Sequence, residues 1–151
     1  MFRGRSLLKL DPKGRLSFPT QLKRPLTGEQ KLIITNSLYN NQVCLDLYTW
    51  NEWLKLEKKI ARMPQMDSQV QAYQRFYLAS GEPCDLDSQG RMLVPQIFRE
   101  YAELDSDIVM IGMGHKIELW DAKKWQKIFS ELKNNFEKIQ NSLADIEKDK
   151  K

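Results

Sequence analysis

Residues 10–19 read LDPKGRLSFP, and residues 86–95 read LDSQGRMLVP. The same unusual phrase recurs 76 positions later in a chain of 151 residues. Each copy puts a turn-forming aspartate at its head, Asp11 and Asp87. Each puts a glycine, Gly14 and Gly90, where a tight turn needs positive φ. The flanks of the first copy alternate. Phe2, Ser6, Leu8 and Leu10 share one face, and Arg3, Arg5, Leu7 and Lys9 share the other. Past the turn, Leu16 and Phe18 face one way while Arg15 and Ser17 face the opposite way. Period two on both sides of a turn predicts a β-hairpin with one apolar face and one cationic face.

The copies stay parallel beyond the turn. Pro19 and Pro95 stand where a short helix opens, and Leu22 and Phe98 follow three residues later. Pro25 should cut the first of these helices early. Two apolar strands come next in each copy. They are LIIT (32–35) and VCLDLY (43–48), joined at Asn40-Asn41, then IVMIG (108–112) and KIELW (116–120), joined through Gly114. Thr49 with Glu52 reads as a capping box before Trp53, and Asp121 takes the N-cap part before Trp125. Tyr48 to Trp120 is an offset of 72, so four residues of length separate the copies somewhere in mid-unit. Between them, Asp67-Ser68 caps a linking helix carrying Val70, Tyr73 and Tyr77, and Pro64 parts it from the helix before. A unit of about fifty residues without disulfides rarely closes its own core. The two copies are therefore expected to pack on each other. The fold class is α+β, with duplicated β-hairpin/short helix/β-hairpin units interleaved about a pseudo-twofold axis and a long C-terminal helix.

Charge separates the two copies. Residues 1–24 carry Arg3, Arg5, Lys9, Lys13, Arg15, Lys23 and Arg24 against Asp11 alone, a net of +6. Residues 80–103 carry Arg91 and Arg99 against Glu82, Asp85, Asp87, Glu100 and Glu103, a net of −3. A charge run is usually solvated surface. A two-stranded ribbon bearing cations also fits the major groove of DNA, where arginine grips guanine with two hydrogen bonds.

These motifs resemble the MraZ family of bacterial transcriptional regulators, grouped with the AbrB-like swapped-hairpin DNA-binding proteins. The resemblance rests on FRG near the start, D-x-K-G-R-L-x-F-P at 11–19 and D-x-Q-G-R-x-L-V-P at 87–95, and it covers roughly residues 1–130. It divides the chain into a first AbrB-like repeat with its helix (1–62), a linking helix (63–79), a second AbrB-like repeat (80–130) and a C-terminal extension (131–151). It implies binding to short G-rich direct repeats upstream of the cell-division and cell-wall gene cluster, including the chain's own promoter. Association with the nucleoid and a homo-oligomeric ring are implied as well.

Phosphate contacts dominate nonspecific affinity, so the basic first repeat is expected to be the DNA surface. Arg15 is assigned to specificity, while Lys13, Arg3, Arg5 and Lys9 are assigned to phosphates. Arg91 is auxiliary, or pairs with Asp85 or Glu82, or sits at a subunit contact. Asp11, Gly14, Asp87 and Gly90 are assigned to the turns themselves.

From Trp125 onward, apolar residues fall at heptad spacing: Trp125, Leu132, Ile139 and Ile146 in one position, Phe129, Phe136 and Leu143 in the other. The stripe either covers the chain's own core or meets a neighbouring subunit, the second reading being favoured past Phe136. The polar end, DIEKDKK, is expected to fray.

Other classes find little support. No apolar run reaches the ~20 residues of a membrane span. The basic N-terminus lacks the long apolar core and cleavage site of a signal peptide. Cys44 and Cys84 fit neither a zinc spacing nor a disulfide framework, which points to a reducing cytoplasm and to no metal. His115 has no nucleophile or acid partner, and neither a P-loop nor a dinucleotide fingerprint is present, so no enzyme, cofactor or small-molecule substrate is expected. The rival to a regulator is a self-assembling scaffold or a nonspecific nucleoid protein.

Overall fold

A computed structural model of the chain describes residues 1–23 and 31–149. The expected effect of Pro25 on the first short helix lies outside the described residues. In chain order the elements begin with β1 (Arg5–Lys9), β2 (Arg15–Ser17) and α1 (Thr20–Lys23). Then come β3 (Leu32–Tyr39), β4 (Gln42–Thr49), α2 (Trp50–Ala61) and α3 (Ser68–Tyr73), which runs on as a π-helical turn, Gln74–Leu78. The second half holds β5 (Glu82–Pro83), β6 (Arg91–Leu93), α4 (Gln96–Tyr101), β7 (Asp107–Gly112), β8 (Ile117–Asp121), α5 (Ala122–Asn134) and α6 (Phe136–Asp149).

The turn motifs form as expected, but their arms do not pair with each other. β1 pairs with β7, β2 pairs with β6, and β5 pairs with β3, so each repeat's arms go to the other repeat. The result is a six-stranded sheet, β1-β7-β8-β4-β3-β5, beside a two-stranded β2-β6 ribbon. Only the turn ends close locally, through Asp11 N to Arg15 O at 2.9 Å and Asp87 N to Arg91 O at 2.8 Å. Alternation decides which way a side chain points and leaves the partner strand open.

The registers reveal the pseudo-twofold axis. Ser6 pairs with Met110 and Leu7 with Val109, while Glu82 pairs with Ile34 and Pro83 with Ile33. Adding 76 to one set gives the other. In the ribbon, Leu16↔Met92 is the central pair, flanked by Arg15↔Leu93 and Ser17↔Arg91. In the large sheet, Asp46↔Glu118 is central, flanked by Leu45↔Leu119 and Leu47↔Ile117. The four extra residues lie in the β3–β4 hairpin, which runs from Leu32 to Thr49 against Ile108 to Asp121 in its counterpart. Asn40 and Asn41 take φ of 52° and 63°, the geometry of a two-residue hairpin turn.

The molecule has three layers. One sheet face, with Leu32, Ile34, Leu45, Leu47, Ile108, Met110 and Leu119, packs on the ribbon's Leu16 and Met92, on Val94 just past β6, and on Leu22 and Phe98 of the short helices. The other face is covered by helices. Val109, Ile111 and Trp120 meet Ile128 of α5, and Ile33 and Tyr48 meet Trp53 of α2 and Tyr77 of the π-helical turn. Caps set the helix starts. Thr49 Oγ1 accepts from Glu52 N at 3.2 Å, Asp67 Oδ1 accepts from Gln69 N at 2.8 Å, and Asp121 Oδ2 accepts from Lys123 N at 3.2 Å.

The C-terminal stripe is not one helix. Asn135 donates its Nδ2 to Glu131 O at 2.9 Å and sits at φ −109°, which ends α5 before α6 restarts at Phe136. An asparagine side chain that competes for a helix carbonyl does this readily. Trp125 and Leu132 pack on the chain's own core, whereas Phe136, Leu143 and Ile146 are exposed. α6 is helical as far as Asp149, so Asp145–Asp149 lie in its last turns. Lys148 in that last turn complements the helix dipole.

Candidate nucleic-acid interface

The ribbon turns Leu16 and Met92 inward, at 2% and 0% exposure, and so turns Arg15, Ser17, Arg91 and Leu93 outward. Arg15 and Arg91 occupy equivalent places on either side of the axis. Lys13, exposed at the tip of the first turn, has Gln89 as its counterpart. The cationic ribbon therefore combines one strand from each repeat.

Each turn is built around its aspartate. Asp11 Oδ1 accepts from Lys13 N at 2.9 Å and Arg15 N at 2.8 Å, and Oδ2 accepts from Arg15 Nε at 3.0 Å. Asp87 repeats this with Gln89 N and Arg91 N, both at 2.8 Å, and with Arg91 Nε at 3.1 Å. The backbone amide of Arg15, followed by its guanidinium, holds the Asp11 carboxyl below the usual carboxylate range. Asp87 is lowered in the same way, led by the backbone amide of Arg91. Both carboxyls thus stay charged and keep their grip at neutral pH. Arg91 pairs with Asp87, not with Asp85 or Glu82; Asp85 instead accepts from Leu32 N at 3.1 Å.

The consequence for chemistry is specific. The aspartate occupies only Nε, so the terminal guanidinium nitrogens keep their hydrogens for another acceptor. The arginine is also held in one place before any ligand arrives, which lowers the ordering cost of a bidentate contact.

Gly14 and Gly90 have φ of +87° and +74°. Gly14 also admits a neighbour, since a Cβ there would lie 2.6 Å from Arg99 Nε. Arg99 is tied to Val94 O at 3.0 Å, and Lys23, its counterpart by the offset of 76, packs over Gly90. Each repeat's short helix thus covers the other repeat's turn with a cation. The sequence reading gave Lys23 and Arg99 no such role, although the repeat offset alone pairs them.

The other expected cations lie elsewhere. On β1, Leu8 packs toward the ribbon core, so the alternate residues Arg5, Leu7 and Lys9 point to the helix side. Arg5 lies with its guanidinium 4.6 Å from the ring centroid of Phe129 on α5. Lys9 pairs with Asp107 at 2.5 Å. Arg3 is exposed, with its backbone against Gly112. The single cationic face uniting Arg3, Arg5, Lys9 and Arg15 is therefore not formed, because β1 is an edge strand of the large sheet and not the ribbon partner of β2.

Comparison with known proteins places the chain in a family. The family model described as "MraZ protein, putative antitoxin-like" matches residues 1–76 and 78–146. A "Transcriptional regulator MraZ" from Natranaerobius thermophilus is 35% identical, covering 97% of this chain and 99% of its own length. The protein of the same name from Heliobacterium modesticaldum is 36% identical over the same shares. That from Thioalkalivibrio sulfidiphilus is 41% identical, covering 84% of each chain.

Proposed function

The chain belongs to the MraZ family, and from that premise we propose that it is a sequence-specific DNA-binding transcriptional regulator whose β2–β6 ribbon reads the duplex. One observation carries the reading: Arg15 and Arg91 stand on the outer face of one ribbon, each held through Nε by its own aspartate. A two-stranded ribbon fits the major groove, and a fixed guanidinium matches the O6 and N7 acceptors of guanine.

In this reading Arg15 supplies specificity, Arg91 assists it, and Lys13 holds phosphate at the tip. Asp11, Gly14, Asp87 and Gly90 organise the turns. Arg3, Arg5 and Lys9 lie off the ribbon and contribute to the wider positive field. The proposed targets are short G-rich direct repeats upstream of the cell-division and cell-wall genes, the chain's own promoter among them. Action in the cytoplasm at the nucleoid follows from that role. No helix among the described residues is long and apolar enough to cross a membrane.

Self-association is part of the proposal. Phe136, Leu143 and Ile146 are 57%, 60% and 56% exposed along α6, next to a groove lined by Trp125, Phe129 and Ile139. Several ribbons held together, as in a ring, gain affinity for an array of boxes through effective concentration. The same stripe favours the second reading, a self-assembling scaffold or nonspecific nucleoid protein.

Footprinting on the DNA upstream of the chain's own gene separates the two. Protection of discrete G-rich boxes that vanishes with Arg15→Ala supports the regulator. Binding indifferent to sequence, or protection unchanged in Arg15→Ala, favours the scaffold.

A further inference from the structure

The face of the large sheet that lies under the helices holds three ligand-type side chains with no part in the ribbon. Cys44 and Asp46 are two residues apart on β4 and so share that face, and Glu118 is the cross-strand partner of Asp46 on β8. Cys44 and Asp46 are fully buried, and one ligand atom from each of the three lies within 4.8 Å of the others.

The hydrogen bonds divide this group into two sides. On one side, Asp46 Oδ2 accepts from Tyr77 Oη and from Lys116 Nζ, the latter at 2.9 Å, and Lys116 also approaches Glu118 Oε2 at 3.9 Å. On the other side, Trp120 Nε1 donates to Glu118 Oε1 at 3.0 Å. Continuing the β4–β8 register puts Cys44 opposite Trp120 and Tyr48 opposite Lys116. The lysine therefore serves the Tyr48 side, and the thiol stands on the side away from it. Asp46 Oδ1 is buried without a hydrogen-bond partner, and it is the only side-chain atom in that state among the described residues. Oδ2 is already taken up by Tyr77 and Lys116, so Oδ1 is the Asp46 oxygen left for a further partner.

The geometry points to a binding site for one divalent transition-metal ion of the zinc type, held by Cys44 Sγ, Asp46 Oδ1 and a Glu118 carboxylate oxygen. One sulfur and two oxygens suit zinc, which tolerates mixed donors and often keeps a fourth position for water. The charges also balance. Two carboxylates and one ammonium leave a single buried negative charge. Adding a dication while Cys44 gives its thiol proton to solvent brings the total to zero. Burial, followed by the neighbouring Asp46 and Glu118 carboxylates, pushes the Cys44 thiol up, and an adjacent cation reverses the electrostatic part of that effect. Tetrahedral ligand atoms stand about 3.5 Å apart, so the three side chains must draw in by roughly an ångström. Glu118, at 13% exposure, offers the way in. Cys84 takes no part; its thiol donates to Leu93 O at 3.1 Å on the ribbon side of the sheet.

Cobalt(II) added to chelator-treated full-length protein tests the assignment. A thiolate-to-cobalt charge-transfer band should rise to saturation at equimolar cobalt, persist in Cys84→Ser and disappear in Cys44→Ser and Glu118→Gln. Zinc should displace the cobalt and shift Tm upward by roughly 5–10 °C at about 100 times Kd. It should also protect Cys44 of the unaltered chain from alkylation, read by mass spectrometry, which needs no variant to fold. The assignment is overturned if the folded wild-type protein shows no charge-transfer band, if Cys44→Ser keeps the band, or if zinc leaves Cys44 alkylation unchanged.

Discussion

Leu16 and Met92 face each other at the centre of the β2–β6 ribbon, one from each repeat, and both are buried under the large sheet. Arg15 and Arg91, the arginines proposed to read DNA, are their immediate neighbours in sequence and point the opposite way. The contact that joins the two repeats is therefore the same contact that sets the outer face of the ribbon, the proposed interface. A defect in packing between the repeats must reach the ribbon directly.

Truncating Met92 to alanine should destabilise the whole chain by about 2–5 kcal/mol, the range for deleting a buried long side chain. Because each repeat completes the other, unfolding should stay a single transition. Denaturant curves followed by tryptophan fluorescence and by far-UV circular dichroism should move together. Two separated midpoints would mean that the repeats fold independently, against the interleaved registers.

Arg15→Ala should remove sequence preference, at a cost of ~1–3 kcal/mol for the boxes over random DNA. Lys13→Ala should weaken boxes and random DNA about equally and reduce the salt slope by about one. Binding isotherms over a salt series on both duplexes measure the two effects. An Arg15→Ala variant that keeps its preference would remove Arg15 from base reading.

Much of this fold was legible in the sequence because its signals are local. The alternation around the turns, the Asn40-Asn41 turn, and the Thr49, Asp67 and Asp121 caps each depend on residues a few positions apart. The partner of β1 was not legible. Period two tells Leu8 from Lys9 but is equally satisfied by pairing with β2 or with β7, and that choice sent Arg5 to Phe129 rather than to the ribbon. The break at Asn135 was hidden for a related reason: the heptad stripe runs on through it, and one side-chain hydrogen bond ends the helix. The equivalent placement of Arg15 and Arg91 on one ribbon was hidden as well, because net charge along a segment does not say which face a strand presents.

Acid should act on the two turns with a defined sign. Asp11 and Asp87 have folded pKa values below the ordinary 3.8, so the stability they add is present above 3.8 and lost as pH falls through the lower folded values. Glu118 works oppositely. Burial first, then the Asp46 charge, raises it above 4.5, so its protonation favours the fold as pH drops toward that value. Asparagine at 11 and 87 keeps the amide acceptor but carries no charge. The double variant Asp11→Asn/Asp87→Asn should therefore lose less Tm below pH 3.8 than the wild type does. Parallel pH profiles for the two proteins would contradict the linkage.

Removing Lys116 gives the sharpest test of the buried charges on the axis. Asp46 is fully buried, and Lys116, with its side chain 18% exposed, is the cation bonded to it. Lys116→Met should cost about 3–5 kcal/mol, because it leaves a buried carboxylate unpaired. Substituting Asp46→Asn as well should restore part of that loss, since neither charge then remains. The alkaline limb reports the same pair. Although burial lowers it, the Asp46 charge and hydrogen bond dominate and raise the Lys116 pKa above 10.5. Its contribution is therefore complete below 10.5 and fades as pH rises through the folded value. In Lys116→Met this alkaline loss of Tm should be reduced. Denaturant midpoints of the single and double variants check the first effect, and Tm against pH checks the second. A double variant no more stable than Lys116→Met would mean that the lysine's aliphatic packing, and not its charge, is what the axis requires.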